Sequence, residues 1–285
     1  MTFNAASPIS FTVFPPAEAL RGVVKFFRIA EYRGPDALAI RVCPNGSPGI
    51  VFQQGVGDRT AIRDIVTASG RLEYIPPLFL YGHVTELSVM NFREGPFTTI
   101  QAILEPTALG TLFRIDASSM ANNSWGPADF ADDETLPDRL RLAETNEERV
   151  AALSELLLAK LEQAEPPDPL VQESLRVIQE HIEQVTVKFV LDRLHLSERQ
   201  FEKRFFRAVG VSPQFYIRVR RFNEAIRRMD TGEYDRLSDV AHSLHFHDQS
   251  HFIRDMKQFS GITPKSISQK VNHFHHDQIG NSYLL

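Results

Sequence analysis

Apolar positions recur along this chain with two different periods. From Phe11 to about Ile115 they come in short β-branched and aromatic runs cut by Gly and Pro: Gly49-Ile-Val-Phe52, Leu78-Phe-Leu-Tyr81, Glu86-Leu-Ser-Val-Met90 and Thr98-Thr-Ile-Gln-Ala-Ile-Leu104. Short runs with frequent turn signals predict a β-sandwich or small barrel. From Phe130 to Glu165 the spacing becomes helical and the composition acidic, with Leu140, Val150, Leu153, Leu157 and Leu161 on the stripe. Glu165-Pro-Pro-Asp-Pro169 cannot continue a helix, and this places a domain boundary there.

Every later element reads as a helix with its own start and stop. Asp168-Pro169 supplies an N-cap and a first-turn proline ahead of Val171, Leu175, Ile178, Ile182 and Val185. Thr186 caps a short helix whose Val187, Val190, Leu191 and Leu194 point inward. Ser197, with Gln200 three residues on, predicts a capping box for a helix that stops at Gly210. Ser212-Pro213 opens a long helix with Phe215, Val219, Phe222, Ile226 and Met229 at steps of four and three, ending before Gly232. Leu237, Val240, Ala241 and Leu244 mark the next helix, and Asp248, Gly261 and Thr263-Pro264 then repeat the cap, stop and restart.

That repeat is internal. Phe201-Glu-Lys203-Arg-Phe205 with Gly210-Val-Ser212-Pro213 recurs as Phe252-Ile-Arg254-Asp-Met256 with Gly261-Ile-Thr263-Pro264, 51 residues later. Each copy follows an apolar turn with a central histidine, Leu194-His195-Leu196 and Leu244-His245-Phe246. Two helix-turn-helix units on one polypeptide would touch DNA at two places. The helix from Pro213 to Met229 would be about 25 Å long, which suits successive major-groove turns about 34 Å apart.

The overall charge of −5 averages unlike halves. Residues 170 to 270 hold 17 Lys and Arg against 13 Asp and Glu, a net +4 that leaves −9 for the remainder. A basic module joined to an acidic one suits DNA contact. At 285 residues and 42% apolar content the chain can bury two cores, and a disordered chain is excluded. Cys43 is the only cysteine, so no internal disulfide forms. Neither a leader pattern nor a membrane-length apolar run is present, and the expectation is a cytoplasmic protein with no membrane partner.

In a helix-turn-helix the second helix offers its N-terminal part to base edges. With Phe201 and Phe205 inward, the first such helix leaves Arg199, Glu202, Lys203 and Arg204 on its other faces; with Phe252 and Met256 inward, the second leaves Gln249, Ser250, His251, Arg254 and Lys257. Arg and Lys suit guanine, Gln suits adenine and Glu accepts from cytosine. The expected base readers are therefore Arg199, Glu202, Lys203, Gln249, Ser250, His251 and Arg254. Ser197, Arg204, Arg207, Lys257 and Thr263 are expected at phosphates, and Arg218, Arg220 and Arg221 at phosphate or solvent.

Over roughly residues 170 to 270 the chain resembles the AraC/XylS family of bacterial transcription regulators. The resemblance rests on Ser197 to Pro213 and on Val240-Ala241 through Phe246-His-Asp248-Gln-Ser250-His-Phe252-Ile-Arg254-Asp-Met256-Lys257. It implies base-reading roles at Arg199, Glu202, Lys203, Gln249, His251 and Arg254. Three positions depart from the pattern: His245 replaces the turn glycine, Leu191 an alanine and Met256 a phenylalanine. Residues 11 to 165 look like the cupin-like sensor domain that precedes some of these modules, through Phe14-Pro-Pro16, Leu80-Tyr-Gly82-His83 and the run Leu136 to Leu161.

The expected architecture is an α+β two-domain chain. A cupin-like β-rich sensor or dimerisation domain spans 1–165 with a helical extension from about 130, an all-α DNA-binding domain spans 166–272, and 273–285 form a tail. The implied partners are double-stranded DNA, a small-molecule effector in the first domain, RNA polymerase and a second copy in a homodimer. No cofactor and no enzymatic activity are expected. The competing reading, a cupin-type binding protein or enzyme with a helical appendage, rests on the strand-rich half alone. His83 is the sole histidine there, whereas a metal-dependent cupin enzyme needs two or three with a carboxylate. His242, His245, His247 and His251 crowd together, with His273, His275 and His276 following, but their turn and reading positions argue against a metal site.

Overall fold

The computed structural model describes residues 9–57, 59–232, 234–246, 248–269, 274–277 and 280–284. The first half holds β1 (Ile9–Phe14), β2 (Val24–Tyr32), β3 (Ala39–Val42), β4 (Gly49–Gln54), β5 (Ile62–Thr67), β6 (Gly70–Leu72), β7 (Leu78–Tyr81), β8 (Ser88–Phe92) and β9 (Phe97–Leu104). There follow α1 (Ala108–Phe113), β10 (Ser124–Trp125), α2 (Pro127–Phe130), α3 (Leu136–Leu142) and α4 (Asn146–Glu162). One antiparallel sheet runs β1-β2-β9-β4-β7-β10, and β3-β8-β5-β6 run in the other. The sheets face each other as a sandwich across Ala30, Tyr32, Val51 and Phe79 from the first and Ile40, Ile62 and Phe92 from the second.

The central strands β2 and β9 are covered on both faces, and most of their residues are buried. Phe27, Ile29, Ile100 and Ala102 turn away from the second sheet into a core closed by Leu140 of α3 and Leu153 and Leu157 of α4. The helical stripe between Phe130 and Glu165 thus packs on the sheet, but in separate helices. Thr145 breaks it, accepting from the Glu148 amide at 3.2 Å while the Glu148 carboxylate accepts from the Thr145 amide at 3.2 Å.

The second half is helical: α5 (Pro169–Glu180), α6 (Val187–Leu194), α7 (Glu198–Val209), α8 (Pro213–Thr231), α9 (Leu237–Ser243), α10 (Gln249–Ser260) and α11 (Pro264–Gln269). Asp168, Thr186, Ser212 and Asp248 each cap their helix through the side chain. Ser197 does not, so the expected capping box at α7 is absent. Ser197 to Gln200 are all exposed, and water can serve those amides at little cost. Helix α8, about 28 Å long, lies in both helical cores: Tyr216 and Ile217 join Phe201 and Phe205, while Phe222 and Ile226 join Phe252 and Met256.

The last residues, expected as a tail, include β11 (Phe274–Asp277) and β12 (Gly280–Leu284), and β12 pairs antiparallel with β3. An open sheet edge presents unpaired backbone groups, and this return of the chain covers it. The two halves also touch at Gly210, which lies against the Ala117 carbonyl, and at Asn223 of α8, whose amide donates to the Pro44 carbonyl at 3.2 Å.

Candidate nucleic-acid interface

Each helix-turn-helix unit is a helix pair joined by a histidine in the left-handed region. His195 ends α6 at φ 52°, and His245 follows α9 at φ 50°. The left-handed turn expected at His245 is therefore present, and His195 occupies the same conformation. An L-residue there costs about 1 kcal/mol relative to glycine. In each unit a backbone bond locks the turn: Leu196 N–H to the Leu191 carbonyl, and Phe246 N–H to the Ala241 carbonyl, both at 3.1 Å.

Beyond the turns, α7 buries Phe201, Phe205 and Val209, and α10 buries Phe252, Met256 and Phe259. This anchoring leaves Arg199, Glu202, Lys203, Gln249, Ser250 and Arg254 exposed. Ser197, Arg204, Arg207 and Lys257 are exposed too, while His251 and Thr263 are half-buried. The structure thus brings the expected residues onto two helices rooted on one scaffold, α8.

Their electrostatic situations differ. Among the described residues, Arg199, Lys203, Arg254 and Lys257 make no ion pair, so their charges face solvent. Arg204 is engaged: Nε and Nη2 donate to the two carboxylate oxygens of Asp168 at 2.7 and 2.6 Å. Burial pushes the Asp168 carboxyl up, but the bonds from Arg204 and from the Leu170 and Val171 amides outweigh it and hold it below the usual carboxylate range. Arg207 has a looser partner, Asp116, at 3.7 Å. Thr263 exchanges a hydrogen bond with Ser266 at 3.0 Å.

In the second unit lies a polar knot that residue typing alone does not show. Asp255 is 2% exposed, and Arg218 of α8 binds it through Nε at 3.2 Å and Nη2 at 2.7 Å. Arg218 Nη2 also donates to Gln258 at 2.7 Å. His251 turns inward, its Nε2 standing 3.4 Å from Asp255 and its ring edge-on to Phe246. Arg218 and Arg221, expected at phosphate or solvent, work inside the fold instead: Arg221 donates to the Val185 carbonyl at 2.7 Å, tying the second unit's scaffold to the first. Asp255 was discoverable, because the 51-residue offset pairs it with Arg204.

In the sandwich a cavity of about 150 Å³ opens between the sheets. Its wall is largely apolar, with Phe79 and Met90 joined by Arg28, Gln101 and, from the C-terminal strand, Ser282. The buried Arg28 guanidinium stacks 4.2 Å over the Phe11 ring. Where the sandwich meets α8, Lys25 donates to Ser47 at 2.9 Å, and burial, with the Arg220 charge adding, lowers its pKa to about 8 against the pull of Glu105. Cys43 is buried, and burial pushes its thiol well up, against the Arg41 charge, so it is no nucleophile.

Among the described residues no group of three His, Cys, Asp or Glu side chains could hold a metal ion. Two members of the histidine cluster, His247 and His273, lie outside the described residues. No helix among the described residues is long and apolar enough to cross a membrane.

Residues 190–270 match a helix-turn-helix domain family. Residues 12–125 match a domain of unknown function (DUF6597). No curated protein matches the chain. Among solved structures, ToxT from Vibrio cholerae O395 is similar at 13% identity over 93% of this chain and 98% of that one, with a TM-score of 0.47. The C-terminal domain of AraT, a response regulator from Geobacillus stearothermophilus, is 19% identical over 37% of this chain and 88% of that one, with a TM-score of 0.35. The AraC-like transcriptional activator CuxR is 14% identical over 78% and 88%, with a TM-score of 0.25.

Proposed function

We propose that this chain, whose residues 190–270 match a helix-turn-helix domain family, is a transcription regulator of the AraC type that reads two successive major-groove segments of duplex DNA sequence-specifically. The observation that carries this is the pair of helices rooted on α8, each with exposed cations that make no ion pair among the described residues: Arg199 and Lys203 on α7, Arg254 and Lys257 on α10. Arg199, Glu202, Lys203, Gln249, Ser250 and Arg254 are the base readers in this reading. Lys257 and Arg207 meet phosphate. His251 reaches a base only by leaving Asp255.

The binding constant for duplex DNA, measured as salt rises, tests this. Each phosphate contact releases a counterion, so log K should fall with a slope near −0.9 per contact. A flat salt dependence would reject the reading.

Control through the N-terminal half is the finer part of the proposal. The apolar cavity between the sheets, with Arg28 and Gln101 as its polar anchors, has the character of a small-molecule chamber. Ser282 of β12 lines it, and the next residue of that strand, Tyr283, bonds to Ser260 of α10, so an occupant would touch a strand that is tied to the DNA-binding half. A thermal-shift screen of the intact chain against metabolites tests it: a ligand whose stabilisation disappears on filling the chamber by Ala30→Phe supports the reading, and one indifferent to that change does not.

A further inference from the structure

One arginine and one aspartate form a two-bonded fork at the same helical position of both units, with the charges exchanged. Arg204 stands three residues after the core residue Phe201, and Asp255 stands three after its counterpart Phe252. In the first unit the reading helix supplies the cation, and Arg204 grips both oxygens of Asp168, the N-cap of α5. In the second unit the reading helix supplies the anion, and Arg218 of α8 grips both oxygens of Asp255. Each fork therefore joins a reading helix to a scaffold helix.

A single hydrogen bond restrains a distance, whereas two parallel bonds between planar groups restrain orientation as well. That restraint falls where it matters. Lys203 and Arg254 each precede the fork by one residue, so the fork sits about 100° around the helix from a base-reading cation. A 20° roll of a helix with side chains at a radius of roughly 6 Å would move those side chains about 2 Å, enough to break a hydrogen bond to a base edge.

We propose that Arg204 and Asp255 are positioning residues, and that the Arg204–Asp168 and Arg218–Asp255 forks set the roll of the two reading helices on DNA. This rests on the DNA-reading function proposed above. It also reassigns Arg204, whose side chain the sequence places at a phosphate: the Asp168 carboxylate occupies the Nε–Nη2 edge of the guanidinium, the one that matches an oxyanion side-on, and leaves a phosphate only the Nη1 end. Arg204 is 46% exposed, and an exposed ion pair adds little to stability, so the fork's effect belongs in specificity.

The test compares the full chain with Arg204→Gln, Asp168→Asn and the double variant. Asn retains the N-cap of α5. Affinity is measured on a duplex selected from random sequence and on its scrambled version, each across a salt series. A positioning fork predicts that both single variants lower the selected-to-scrambled ratio by roughly fivefold or more, the range of one lost base contact. The double variant should be no worse than either single one, with scrambled binding and salt slope unchanged.

A phosphate contact predicts opposite signs. Arg204→Gln would then weaken both duplexes and reduce the salt slope by about 1, while Asp168→Asn would free the arginine and tighten both. That result, or no change in either variant, overturns the proposal. In the second unit Arg218→Lys keeps a cation beside the buried Asp255 but loses the planar fork, so the ratio should fall without loss of folding. If the unmodified chain binds no duplex in a salt-dependent way, the DNA-reading function fails, and the forks' role fails with it.

Discussion

The Tyr283 hydroxyl in β12 donates to the Ser260 carbonyl at 2.7 Å and accepts from Arg41 of β3 at 2.8 Å. Ser260 is the last residue of the second reading helix, so one phenol joins the final strand, the sandwich and α10. Tyr283→Phe keeps the buried ring but strands two polar partners. The expected loss is about 1–3 kcal/mol, read as a lower midpoint in urea; an unchanged midpoint would mean that water takes the hydroxyl's place.

His83 makes stability depend on acid. It is 2% exposed, and burial, with the Lys25 charge adding, lowers its pKa to about 3 despite a hydrogen bond to the Pro106 backbone. Its value when unfolded is 6.5, so between those two limits the unfolded chain binds the extra proton. Stability is therefore complete above about pH 6.5 and falls as pH drops toward 3, by up to about 1.4 kcal/mol per unit. In His83→Gln the decline across that window should be shallower, measured by denaturant unfolding at several pH values. An identical slope would contradict the assignment.

Two left-handed glycines separate backbone cost from domain contact. Gly210 has φ 89°, and a Cβ there would lie 2.6 Å from the Ala117 carbonyl oxygen; Gly232 has φ 71° and nothing within 4 Å. Gly232→Ala should cost about 1 kcal/mol. Gly210→Ala should cost clearly more, because backbone must move between α7 and the sandwich. Equal melting temperatures for the two variants would show that this contact contributes nothing.

Arg254 and Lys257 share α10 but are expected to do different work. Arg254→Ala should cost about 1–3 kcal/mol and relax discrimination at one base pair. Lys257→Ala should weaken all duplexes alike and reduce the salt slope by about 1. Competition binding against single-base variants of a selected duplex distinguishes them, and parallel losses on all sequences in both variants would reject the division of roles.

Much of the helical half was legible because its signals are local. Asp168, Thr186, Ser212 and Asp248 announce helix starts by capping amides two or three residues away, and Gly210, Gly232 and Gly261 stop helices by adopting positive φ. Ser197 looked like the same device and is not: its side chain makes no cap bond, and the exposed first turn of α7 is left to solvent. The run from Leu140 to Leu161 read as one stripe because Thr145 can sit in a helix or begin one, and only packing on the sheet decides.

By itself, then, the sequence determined the helical element types, the doubled helix-turn-helix unit and which face of α7 and α10 is buried, because caps, turns and apolar periodicity act over one or two helical turns. Only the tertiary structure decided that Arg204 faces Asp168, that Asp255 lies beneath α10 against Arg218, that β12 closes the edge of β3, and that a cavity remains between the sheets. These depend on groups 36, 37 or some 240 residues apart meeting at hydrogen-bond distance. Such meetings are fixed by how whole elements pack, and no local pattern encodes them.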